Sequence, residues 1–242
     1  MISESDLGAN LRAVRARIEA AARRVGRSPE EVRLIAVTKG HPAQLVRLAY
    51  RAGLRDFGEN RVEEAREKQD ELADLIDARW HMIGHVQSRK AREVIGSFAL
   101  LHSLDRPKLA ATLDRLAAER DLRLPVLLEC NISGEASKDG WDASAPDRRA
   151  DLLASMLAAA RLPRLEVRGL MTMAPWTADE AVLRRVFLGL VRLREDLSAA
   201  GAAALPELSM GMTDDFEIAI EEGATMVRIG RGLFGDRPTG AD

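Results

Sequence analysis

Lys39 closes the apolar run RLIAVTK (Arg33–Lys39), and a lysine there has two readings. Its stem could pack on the run while the ammonium reaches water. Alternatively the amine is desolvated, loses basicity and can attack an aldehyde to form a Schiff base. In the second half of the chain, Ser209-Met-Gly-Met-Thr213-Asp-Asp and Gly230-Arg231-Gly232 offer hydroxyls, close-approaching backbone and a helix start. These are the ingredients of a phosphate cradle, although glycines there could simply be turn residues. Arg228 lies inside an apolar run two residues before Gly230. It needs a partner, because an isolated buried charge is too costly, and a structural salt bridge would be enough.

Other chemistries fit less well. His81 and His85 are two of only four histidines, and no H-E-x-x-H pattern accompanies them, so no metal site is expected. Cys130 is the only cysteine, which excludes an internal disulfide or a Cys-based zinc cluster. It reads as a buried structural thiol rather than a nucleophile. Net charge is −2, and the many arginines are spread along helices and matched by acids, so no nucleic-acid grip is expected. No apolar run reaches the ~18 residues of a membrane span, and the polar start MISESDLGANLRAV has no apolar targeting core. The cytoplasm is the default compartment.

The elements that must carry these residues alternate regularly. An opening helix within residues 1–26 repeats Leu7, Leu11, Val14, Ile18, Ala22 and Val25, with Ser3 and Asp6 as a capping box and Gly26 as its stop. Eight strands follow, at 33–39, 54–59, 80–85, 98–103, 125–133, 165–173, 207–211 and 225–230, with helical patterns between them. The helix after Asn60 turns Val62, Ala65, Leu72 and Ile76 inward, and Thr177 with Glu180 caps a later one. This is the tally of an α/β fold, a single (β/α)8 TIM barrel with an extra N-terminal helix. The rival, an open doubly wound sheet, wants a glycine-rich first turn, and TKGHP is not one. Residues 1–242 read as one domain, with 133–147 as a lid candidate and 236–242 as a frayed tail.

Polar residues interrupt these strands near their C-terminal ends, where barrel enzymes build their sites. They are Lys39, Glu59 with Asn60, His81, His85, Ser103, Asn131, Ser209 and Arg228, and they are expected to converge on one mouth.

The segments LIAVTKGHP, FGENRVEEAREK, WHMIGHVQSRK, LHSLDRPKLA, NISGEASKDGW, RGLMTMAP, LSMGMTDDFEIAIEEGA and VRIGRGLFG together resemble the pyridoxal phosphate homeostasis protein family, from about Arg33 to Gly235. Those proteins are similar to the barrel domain of alanine racemase and lack its second domain. The resemblance implies pyridoxal 5′-phosphate (PLP) bound as a Schiff base on Lys39. It implies a phosphate held by Ser209, Thr213 and backbone near Gly230 and Arg231, Arg228 facing the pyridine nitrogen, and Asn60 and His81 lining the cofactor. The family often has Ser where Thr213 stands and Thr where Arg231 stands, so the part played by Arg231 is open.

The function implied is PLP storage, delivery and control of free PLP, with PLP-dependent apoenzymes as recipients and no turnover. An arginine at the pyridine nitrogen only donates, which favours the neutral ring and weakens it as an electron sink. The second domain that supplies a catalytic tyrosine is missing, and the one tyrosine, Tyr50, falls in the first barrel helix. The alternatives are a weak PLP-dependent amino-acid racemase or lyase, and a Schiff-base aldolase on phosphosugars.

Overall fold

The computed structural model describes residues 2–177 and 179–236. Helix α1 (Glu4–Arg24) begins at Ser3, whose hydroxyl accepts the Asp6 N–H, and ends before Gly26 at φ +70°, as the sequence predicts. Strands β1 (Arg33–Val37), β2 (Asp56–Glu59), β3 (Arg79–Met82), β4 (Leu100–Leu104) and β5 (Leu124–Asn131) form the first half of the barrel. Strands β7 (Leu165–Met171), β8 (Glu207–Ser209) and β9 (Met226–Ile229) form the rest. All pairs are parallel, β9 returns to β1, and the sheet closes on itself as a TIM barrel.

Between the strands run α2 (Ala43–Arg51), α3 (Val62–Glu71), α4 (Ala91–Val94), α5 (Pro107–Glu119), α6 (Arg149–Ala160), α7 (Glu180–Ala199) and α8 (Phe216–Glu221), with α9 (Arg231–Phe234) after β9. Their apolar stripes cover the outward strand residues and give the large core between helices and barrel. Inside the barrel a second, smaller apolar cluster comprises Ile35, Leu100, Leu127, Met171 and Met226.

Register decides which residues share that interior. Gly58 pairs with His81, His81 with Leu100, Met171 with Ser209, Ser209 with Met226, and Ile35 with Arg228. Paired residues of parallel strands face the same way, so these side chains all point inward. Gly58 is small because a Cβ there would press on Ile35 and Ile83 at 3.2 Å.

Three local expectations need correction. Ile76 is 92% exposed, because α3 ends at Glu71 and the periodic stripe does not continue past it. The N-cap of α7 is Asp179, which accepts from Ala181 and Val182, whereas Thr177 accepts from Asp179 outside the helix. The 133–147 stretch is no loose flap: it contains β6 (Trp141–Asp142), hydrogen-bonded to β5, and Lys138 reaches the Met173 carbonyl at 3.0 Å. Of the tail read as frayed, 237–242 lie outside the described residues. Among the described residues, no helix is long and apolar enough to cross a membrane.

Candidate functional site

The barrel opens at its C-terminal end into a cavity of about 400 Å3. Lys39, Asn60, Thr213, Arg228, Gly230 and Arg231 line it, six of the eight residues that the family resemblance assigns to the cofactor. Each arrives from a different local cause. Lys39 stands two residues beyond β1, where Thr38 still donates its N–H to Gly58 and the turn then opens at Gly40 (φ +72°). Asn60 follows β2, and its loop is crossed so closely by Gly84 that a Cβ on Gly84 would lie 2.3 Å from the Asn60 carbonyl oxygen. Arg228 projects inward from β9.

Thr213 lies in the β8–α8 loop and accepts the Gly232 N–H at 3.2 Å, joining the two glycine-containing loops. A Cβ on Gly232 would lie 3.1 Å from Ile229 and 3.2 Å from the Thr213 methyl, so glycine keeps this corner open. The corner offers a hydroxyl and close-approaching backbone, which can take a phosphate. Arg231 sits on the rim, 48% exposed, with its guanidinium paired to Asp214.

The remaining wall includes His41, Met173 and Trp176, which the sequence reading had not placed there, and Met212 and Asp215, which it had named only as part of the 209–215 loop. His41 stacks at a tilt on Phe234, with ring centroids 5.5 Å apart. Trp176 is 93% exposed at the rim, whereas Trp80 and Trp141 are buried. Asp215 turns back on its own loop and accepts the Met212 N–H at 2.5 Å. Burial pushes the Asp215 carboxyl up, partly offset by that N–H and by Arg228. The signal for Asp215 was its place one residue before the apolar start of α8, where acids tie back loop N–H groups.

Arg228 is 4% exposed. Burial pulls its guanidinium down to about 10, against the pull of Asp215 and Glu129. The salt bridge considered for it is not what holds it: Nη1 donates to Ser209 Oγ at 2.6 Å and Nη2 to the Thr172 carbonyl at 3.0 Å.

Ser209 and His81 do not line the cavity. Both are buried one or more layers below it, Ser209 under Arg228 and His81 against His102 and Asp56. The hydroxyl read as a phosphate ligand is already engaged by a guanidinium and an imidazole. Glu59 is corrected too: as the neighbour of inward Gly58 it points out of the barrel, where it meets Thr38 and Lys68.

Ser103 donates to the Gly84 carbonyl, and Asn131 binds within the loop after β5. His85 lies past β3 and outside the cavity lining, 2.9 Å from Asp105 and 3.2 Å from Asp139. One ligand atom from each of these three lies within 4.8 Å of the others, a spacing that could take a cation, but Arg106 already neutralises Asp105. Cys130 is buried, and burial pushes its thiol far up, as suits a structural residue.

Comparison with known proteins gives three kinds of relative. The family described as "Alanine racemase, N-terminal domain" matches residues 9–238. The pyridoxal phosphate homeostasis protein of Pseudomonas aeruginosa is 48% identical over 98% of both chains. That of Escherichia coli K12 is 41% identical over 96% of this chain and 97% of its own. Among solved structures, PipY of Synechococcus elongatus with PLP bound superposes with TM-score 0.81 at 39% identity, covering 95% of this chain and all (100%) of PipY. An alanine racemase of Clostridium difficile superposes with TM-score 0.77 at 14% identity, covering 98% of this chain and 58% of its own, a likeness of fold alone.

Proposed function

The chain belongs to the family of pyridoxal phosphate homeostasis proteins, built on the alanine racemase N-terminal domain, and from there we propose that it binds PLP as a Schiff base on Lys39 and serves PLP homeostasis without turnover of its own. The observation that carries this reading is the convergence of an amine, a donor-only cation and a hydroxyl-and-backbone corner on one cavity: Lys39, Arg228, and Thr213 with Gly230 and Arg231. These are the groups PLP needs. Its aldehyde condenses with a primary amine and releases one water. Its phosphate wants N–H and O–H donors, and its ring nitrogen wants a donor or an acid.

In this reading Lys39 supplies the amine and Asn60 flanks it. Thr213 and the backbone of Gly230–Gly232 hold the phosphate, and Arg228 donates to the ring nitrogen. A guanidinium that stays protonated keeps that nitrogen neutral and limits carbanion chemistry. Tyr50 supports the absence of turnover: it lies on α2, hydrogen-bonded to Asp77 and covered by the Arg55 guanidinium 3.9 Å from its ring centroid, so it is no second base at the mouth. Residues 1–242 then act as one PLP-binding unit of the cytoplasm, with PLP-dependent apoenzymes as recipients.

Borohydride reduction of the PLP-loaded protein followed by peptide mapping tests this. The reduced adduct belongs on Lys39, and Lys39→Ala loses the imine absorbance. A principal adduct on any other lysine sinks the proposal.

A further inference from the structure

Below Arg228 a single file of hydrogen bonds crosses the barrel interior. Arg228 Nη1 donates to Ser209 Oγ at 2.6 Å, and Ser209 Oγ lies 2.9 Å from His102 Nδ1. His102 Nε2 lies 2.9 Å from His81 Nδ1, and His81 Nε2 lies 2.9 Å from Asp56 Oδ1. Arg79 closes the far end, with Nε and Nη2 on the two Asp56 oxygens at 2.8 and 2.6 Å. Ser209 and His102 are 0% exposed and His81 2%.

The chemistry of the ends gives the file a direction. Arg228 can only donate, so Ser209 Oγ accepts from it. The hydroxyl's own proton, buried, then has one acceptor in reach, His102 Nδ1. A neutral His102 keeps its proton on Nε2 and donates to His81 Nδ1. His81 in turn keeps its proton on Nε2 and donates to Asp56, an ionised acceptor. The opposite polarity would need a charged His81 and would leave the Ser209 O–H without an acceptor in a dry interior. Burial disfavours the charged form of both imidazoles.

We propose that Ser209, His102 and His81 are positioning residues for Arg228, forming a one-directional file that runs donor to acceptor from Arg228 to Asp56. With Nη2 fixed on the Thr172 carbonyl, the file sets the roll of the guanidinium plane, so its remaining N–H groups face the cavity in one orientation. Arginine's stem alone would allow several. Only what those N–H groups meet rests on the PLP reading; the file itself does not.

Two measurements decide it. In the ligand-free wild-type protein at neutral pH, 15N NMR of the imidazoles should find His81 and His102 neutral, both protonated on Nε2. A proton on Nδ1 of His102, or a charged His81, overturns the direction. In the loaded protein, Ser209→Ala and His102→Leu should weaken PLP and pyridoxal by the same factor, about tenfold for one charge-assisted hydrogen bond, and should shift the imine absorbance. Loss confined to PLP would put Ser209 on the phosphate and refute the positioning role. Unchanged affinity and spectrum would refute it as well. If either variant fails to fold, the wild-type tautomers still decide. If the wild type binds no PLP, the cofactor reading fails and the tautomers alone judge the file.

Discussion

Lys68 Nζ lies 2.8 Å from Glu59 Oε1 in the layer between β2 and α3, where the two side chains are 7% and 0% exposed. The same ammonium donates to the Thr38 carbonyl at 2.8 Å and to Glu64 at 2.7 Å, while Glu64 accepts the Gly40 N–H at 2.6 Å. The residues on both sides of Lys39 are therefore tied to one buried ion cluster. One carboxylate oxygen of Glu59 has no hydrogen-bond partner among the described residues, and burial pushes the group up despite Lys68.

Removing the cation should be severe. Lys68→Met strands a buried carboxylate, which costs about 3–5 kcal/mol, read from urea unfolding. Lys68→Met combined with Glu59→Leu should recover much of that loss, because a fully apolar replacement strands nothing. A single-variant loss under about 1 kcal/mol would mean that Glu59 is not held by Lys68.

Glu129 gives the stability a pH dependence. Burial, then Asp105 and Asp139, push this carboxyl from 4.5 to about 7. Since the folded value lies above the unfolded one, its contribution is complete below about pH 4.5 and is lost as pH rises toward 7. At about 1.4 kcal/mol per unit the loss is on the order of 3 kcal/mol. Glu129→Gln should therefore be more stable than wild type at pH 8 and close to it at pH 4. Parallel stability curves for the two proteins across that range would refute the assignment.

The phosphate corner predicts a selective loss. Thr213→Val should lower PLP affinity about tenfold and leave pyridoxal binding nearly unchanged, because on the PLP reading the hydroxyl meets only the phosphate. Titrating imine formation with both aldehydes measures it, and an equal loss for both would reject Thr213 as a phosphate ligand.

Gly211 holds the start of the same loop at φ +92°, and an added Cβ would come 2.6 Å from the Ala219 Cβ and 2.9 Å from the Phe216 Cα. Gly211→Ala should destabilise the protein by more than about 1 kcal/mol and weaken the preference for PLP over pyridoxal. A variant of wild-type stability would show that the loop can relax without harm.

Turnover tests the homeostasis reading. The PLP-loaded protein should racemise or deaminate common amino acids no faster than PLP with an unrelated lysine-containing protein. A Lys39-dependent rate well above that background would favour the racemase or lyase alternative.

The sequence made the barrel legible because parallel strands buried on both faces read as short apolar runs, each stopped by a polar residue. Lys39 and Asn60 were legible as mouth residues for the same reason, since they stand where those runs stop; Arg228 was legible as a charge inside an apolar run, and Thr213 as a hydroxyl in a glycine-containing loop. What strand ends do not reveal is height and facing. Ser209 ends β8 as Lys39 follows β1, yet its pairing with Met171 and Met226 puts it below Arg228 rather than at the mouth. Glu59 differs from inward Gly58 by one residue and so faces the helices. A histidine inside LLHSL gives no hint of the groups His102 will meet, and that partnership exists only once β3 and β4 lie side by side and β8 faces them across the barrel interior.

Trp176 gives the chain an optical property of its own. It is the one highly exposed indole, and it stands on the wall of the cavity, whereas Trp80 and Trp141 are buried. An indole so exposed should emit as one in water, and a chromophore seated beside it would displace that water and absorb in the range where indole emits. On the PLP reading, loading and release should therefore register in the protein's intrinsic fluorescence, and any hand-over of the cofactor to an acceptor should be observable in real time without a label.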